Sequence, residues 1–96
     1  MIEIRETETY SRWFERLRDR QAKARINIRI RRLAMGNPGE VKAVGEGVSE
    51  LKLTYGPGYR VYFIQVGHEF VVLLAGGDKS SQFDDIAMAK KLASEL

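Results

Sequence analysis

The chain has 96 residues, no cysteine, one histidine and a formal net charge of +3, with a pI near 9.4. Those figures predict one domain, residues 1–96, with a single modest core, and they exclude disulfides, thiolate metal sites and a histidine-based zinc cluster. No apolar run is long enough to cross a bilayer and Met1–Arg5 alternates like a strand rather than a signal peptide, so a cytoplasmic location with no membrane partner is expected.

In chain order, Ile2 and Ile4 share one face of a first strand over residues 2–6. Tyr10, Trp13, Phe14 and Leu17 then recur at helical spacing, with Thr9 or Ser11 as the N-cap. After a break at Asp19-Arg20, the residues Ala22, Ile26, Ile30 and Leu33 line a second helix that stops at Gly36-Asn37-Pro38-Gly39. The two helices are predicted to form a hairpin. The stretch from Arg12 to Arg32 is strongly basic, and the simplest reading of each of its cations is a solvated helix face; taken together they favour a polyanionic partner.

Residues 40–48, rich in Gly and Val, read as a loop. Alternation predicts strands at about 48–55, 59–66 and 69–76. Ser81 followed by Asp84 resembles a capping box opening a last helix, whose buried stripe is Ile86, Ala89, Leu92 and Ala93. The expected class is α+β, in the order β-α-α-β-β-β-α, with helices on one face of an antiparallel sheet and the other face at least partly open.

An arginine at position 60, inside the apolar run Tyr59-Arg60-Val61-Tyr62-Phe63, marks the candidate site. If Gly56-Pro57-Gly58 forms the hairpin tip, Thr54 faces Arg60 and Lys52 faces Tyr62. Leu51, Leu53, Val61 and Phe63 then share a core face, while Glu50, Lys52, Arg60 and Tyr62 share the other. A turn at Gly67-His68 puts Ala75 beside Arg60, and an extended strand reaching Lys79 brings Lys52, Arg60 and Lys79 together around small residues. Three cations over such a recess suit a phosphate. The competing reading of Arg60 is an ion pair with Glu50 across the sheet. His68, at a turn with no carboxylate or serine nearby, is expected in solvent.

The element order, with Trp13-Phe14, Gly36-Asn37-Pro38-Gly39, Gly45-Glu46-Gly47-Val48-Ser49-Glu50-Leu51, Gly56-Pro57-Gly58-Tyr59-Arg60-Val61-Tyr62 and Leu74-Ala75-Gly76-Gly77-Asp78-Lys79-Ser80-Ser81-Gln82, resembles the phage-derived killer proteins of addiction modules. These are HigB-like toxins of the RelE/ParE superfamily. The resemblance implies a toxin neutralised by a cognate antitoxin, a small helix-turn-helix protein that alone contacts operator DNA.

RelE-like members cut messenger RNA on the ribosome without a metal or other cofactor. The ribose 2′-hydroxyl attacks the adjacent phosphate. By resemblance, Arg60 grips the phosphate, Lys52 neutralises charge or acts as general base, and Lys79 supplies a third cation. Gln82 and Asp85 fall among the substrate-binding positions. A tyrosine that RelE-like enzymes often carry near the start of the last helix is missing from Gln82-Phe83-Asp84-Asp85, which leaves Tyr62 for stacking or Asp85 for proton transfer. ParE-like members of the same fold instead poison DNA gyrase, and a non-catalytic antitoxin-binding module is a third possibility.

Overall fold

A five-stranded sheet organises the chain in the computed structural model, which describes residues 1–96. The elements are β1 (Glu3–Glu6), α1 (Glu8–Arg16), α2 (Arg20–Ala34), β2 (Val41–Gly45), β3 (Val48–Lys52), β4 (Arg60–Val66), β5 (Phe70–Gly77), a 3-10 turn (Lys79–Ser81) and α3 (Gln82–Ser94). Strand order is β1-β5-β4-β3-β2; β1 runs parallel to β5 and the other pairs are antiparallel. The class is α+β, as expected. No helix is long and apolar enough to cross a membrane.

Both early helices start on side-chain caps. Thr7 Oγ1 accepts from Tyr10 N at 3.0 Å and donates to the Leu74 carbonyl at 2.6 Å, so one hydroxyl caps α1 and ties it to β5. This displaces the cap from Thr9 or Ser11, because only Thr7 lies at the end of β1 within reach of the neighbouring strand. Asp19 Oδ1 accepts from Gln21 N and Ala22 N at the start of α2. Its other oxygen accepts from the Tyr55 hydroxyl at 2.9 Å. The Ala22 N–H and then the Tyr55 hydroxyl hold the Asp19 carboxyl below its ordinary pKa.

Residues 41–45 are a strand, not a loop. Val41 pairs with Leu51 and Lys42 with Glu50 before a register shift at Gly45. The glycine-rich composition conceals the strand because its last residue, Gly45, and the turn residues Glu46 and Gly47 all take positive φ.

Alternation divides the strands between two cores. On one side Leu51, Leu53, Val61, Phe63, Val71 and Leu73 pack with Tyr10 of α1 and Ile26 and Leu33 of α2. On the other, Val48, Tyr62, Val72, Leu74 and Ala75 pack with Ala89 of α3, flanked by Ile86, Leu92 and Ala93. The last helix therefore covers the face that sequence left open, and the molecule has three layers. Burial of the apolar stripe of α3 forces this outcome, since the opposite sheet face is already occupied by α1 and α2.

A bulge in β5 completes the arrangement. Phe63 pairs with Leu73 but Tyr62 pairs with Ala75, which leaves Leu74 as the extra residue. Beyond it Gly76 meets the Trp13 ring and Gly77 meets Asp85; a Cβ on either would collide with those side chains.

Candidate functional site

The β3–β4 connection is longer than a three-residue tip. Leu53 N donates to Tyr59 O at 2.9 Å and Gly58 N to Tyr55 O at 3.1 Å inside a loop that turns on Gly56 and Gly58 at positive φ. Lys52 therefore pairs with Arg60, and Glu50 with Tyr62. Each partner is two positions from the expected one. Because the displacement is even, every side chain keeps its expected face.

The β4–β5 register obeys the same parity by a different route. Val66 pairs with Phe70 and not Glu69, a shift of one, and the bulge at Leu74 adds another, so Gly77 rather than Ala75 lies opposite Arg60. Two adjacent rows cross the sheet beneath α3 as a result. One holds Lys42, Glu50, Tyr62 and Ala75, and the next holds Lys52, Arg60 and Gly77.

Lys79 does not line the cleft with them, although its Cβ and the Arg60 Nη1 both border Gly58. The strand ends at Gly77, and Asp78 opens the 3-10 turn by accepting from Ser80 N at 2.8 Å and Ser80 Oγ at 2.5 Å. Lys79 is exposed, with its backbone N–H donating to Pro57 O at 3.3 Å. The capping box is formed by Asp78 and Ser81 on this turn, not by Ser81 and Asp84. Ser81 Oγ instead donates to Asp85 Oδ2 at 2.5 Å.

Two of the three expected cations therefore line one cleft, and they come with acids. A cleft of about 110 Å3 is lined by Glu40, Lys42, Glu50, Lys52, Arg60 and Gln82. The guanidinium of Arg60 is buried, donating from Nη1 to Gly58 O at 2.7 Å, with Nε 3.3 Å from Glu50 Oε1. That Nε forms no aligned hydrogen bond, so its link to Glu50 is ionic attraction alone. Glu50, 3% exposed, also accepts from Gln82 Nε2 at 2.9 Å and from the Tyr62 hydroxyl at 3.4 Å. The ion pair weighed against phosphate contact in the sequence is thus present.

Tyr62 and Asp85 face inward. Tyr62 is fully buried, which removes it as a stacking surface; burial and then the Glu50 charge push its hydroxyl well above the ordinary pKa. Asp85 lies over Gly77, and burial raises its carboxyl even though the Ser81 hydroxyl opposes the shift. Neither lines the cleft. Gln82 does, at the N-terminus of α3, and its neighbour Phe83 is 85% exposed.

Sequence reasoning missed Lys42 and Glu40. Lys42 was hidden by reading β2 as a loop. Glu50 was legible, since it alternates with Lys52 on the same strand face.

No protein-family model matches the chain, and no solved structure matches it. A protein of Haemophilus influenzae, described only as uncharacterized, is 48% identical over 95 residues, covering 99% of this chain and 96% of that one. The fold and cleft define a small α+β protein with a charged recess between its sheet and its last helix. The chain belongs to the family of that Haemophilus protein.

Proposed function

We propose that this protein is a HigB-like toxin of the RelE/ParE superfamily that cuts messenger RNA on the ribosome, using the cleft between β2, β3, β4 and α3. The observation that carries the reading is the direct cross-strand pairing of Lys52 with Arg60, with Lys42 one row away. Like charges opposite one another destabilise a sheet. Glu50 and Glu40 offset two of the three cations, which leaves an excess positive charge in a recess that a phosphodiester suits.

Within this reading, a phosphate oxygen takes over the place of Glu50 on the Arg60 guanidinium. Released from that pair, Glu50 accepts the proton of the 2′-hydroxyl as its oxygen bonds to phosphorus. The phosphorus–O5′ bond breaks, and the Lys52 ammonium returns a proton to the departing 5′-oxygen, leaving a 2′,3′-cyclic phosphate and a 5′-hydroxyl. Gln82 holds the Glu50 carboxylate in position throughout. The reading carries with it a small helix-turn-helix antitoxin as partner and a bacterial cytoplasm as location. Lys79, 3-10-bound and outside the cleft, serves as a peripheral contact.

One observation favours a second reading, the non-catalytic antitoxin-binding module: Glu50 already satisfies the Arg60 charge without a substrate. The two are separated by adding purified protein to a translation extract and mapping message ends, with a DNA supercoiling assay run beside it for the gyrase-poison alternative. Arg60→Ala is a poor variant because it leaves the Glu50 carboxylate buried without its cation. Lys52→Ala and Arg60→Lys are informative: the reading predicts loss of cutting by the first and severe weakening by the second, which keeps charge but loses the planar fork. Full cutting by Lys52→Ala refutes the site; no cutting by the wild type refutes the activity.

A further inference from the structure

On the opposite side of the sheet, α2 carries Arg20, Lys23, Arg25, Arg29, Arg31 and Arg32 and no acidic residue. The helix alone contributes +6 to a chain whose net charge is +3, so the remaining residues sum to −3. Arg29 is used internally. Its guanidinium donates to the carbonyls of Pro38, Glu40 and Lys52, and burial lowers its pKa. Arg25 and Arg32 are exposed and form no salt bridge. The Asp19 carboxylate, which feels the Arg25 charge, is committed to the α2 cap and the Tyr55 hydroxyl.

Two large apolar residues stand in the same stripe. Ile28 is 50% exposed and Met35 65% exposed. Arg25, Ile28, Arg32 and Met35 follow the 3–4–3 spacing of a helix-packing seam, cation and apolar residue alternating. Arg25 is held out along the surface by stacking on Tyr55, with Cζ 4.5 Å from the ring. Beside the stripe is a cavity of about 250 Å3, to which Arg25, Ile28, Arg32, Leu53 and Tyr55 contribute.

We propose that this stripe docks an acidic amphipathic helix of a protein partner, whose apolar side chains meet Ile28 and Met35 and whose carboxylates meet Arg25 and Arg32. A nucleic-acid backbone would use the cations but gives no reason for two exposed apolar side chains between them, and the one aromatic ring here is already covered by Arg25. Alternation of charge with apolar surface is the pattern that an acidic helix complements. The surface is separate from the cleft, so the docking stands independently of the proposed chemistry.

The test is a 15N–1H titration of the full chain with a synthetic 21-residue helix of three heptads, Leu at one seam position and Glu at the other. Shifts concentrated at Arg25, Ile28, Arg32, Met35, Thr54 and Tyr55 are expected. Arg25→Glu with Arg32→Glu should weaken binding by about 10-fold or more, and the same peptide with Lys replacing Glu should bind that charge-reversed protein. Ile28→Asp should abolish binding, with thermal melts confirming that each variant is folded. Lys52→Ala should bind the peptide as the wild type does, even if the cleft has no activity. Absence of shifts, shifts confined to Lys42 and Lys52, equal binding of a scrambled peptide of the same composition, or stronger binding of a twelve-nucleotide oligouridylate at the same residues would each overturn the proposal.

Discussion

The cleft beneath α3 and the outer face of α2 are both built from arginine and lysine, yet they handle charge in opposite ways. In the cleft, the buried Arg60 lies 3.3 Å from a carboxylate that itself accepts from Gln82 and Tyr62. On α2, Arg25 and Arg32 face solvent and form no salt bridge. The first arrangement fixes side chains in a low-dielectric setting where each loss is costly, and the second keeps charge available at little cost to the fold. A count of basic residues therefore says less about where a polyanion or acidic partner binds than the burial and pairing of each one.

The contrast is most easily broken at Glu50. Glu50→Ala leaves the Arg60 charge buried and unpaired, and should cost about 3–5 kcal/mol in urea unfolding. Glu50→Leu combined with Arg60→Met should recover most of that loss; a single-variant cost below about 1 kcal/mol would show that the pair is not coupled as described. Next in size, Gly76→Ala forces a methyl group against the Trp13 ring. About 1–3 kcal/mol of destabilisation is expected, with a changed emission from the sole tryptophan. Thr7→Ala removes both the α1 cap and the bond to Leu74 and should cost about 1 kcal/mol.

The acid–base behaviour of two aspartates sharpens the comparison by sign. Asp19 has a depressed folded pKa, so its stabilisation is present above the unfolded value of about 3.9 and is lost as pH falls through the lower folded value. Asp85 has a raised folded pKa, so its contribution is present below the unfolded value and is lost as pH rises through the higher folded one. Asp19→Asn should flatten the acid limb of a stability–pH curve, and Asp85→Asn should flatten the decline between that range and neutrality. Identical curves for either variant and the wild type would contradict its assignment. The smallest effect is expected at Arg32→Ala, within about 0.5 kcal/mol of the wild type because its charge is exposed and unpaired.

Side-chain alternation made the two sheet faces legible even where register was not. Lys52 and Arg60 were placed on one face although their partners were misassigned, because loop length moved the pairing by an even number of residues. At Gly77 the agreement was a coincidence of two single-residue displacements, neither of which leaves a mark in composition. Lys79 could not be placed, since nothing short of the Asp78 side chain turning back on Ser80 reveals that the strand stops. The position of α3 was also hidden: an apolar stripe says that a helix is covered on one side, not which sheet face covers it. Lys42 fell from view for a simpler reason, a glycine-rich edge strand whose alternation is only five residues long.

RNA cleavage by the Lys52–Arg60 cleft is the proposal to be tested first. The most direct measurement is to incubate a defined message in a translation extract with wild-type protein and with Lys52→Ala, the variant first shown to unfold at the wild-type urea midpoint. The account predicts new 2′,3′-cyclic phosphate ends with the wild type and none with Lys52→Ala. Uncut message with the wild type, or equal cutting by both proteins, contradicts it.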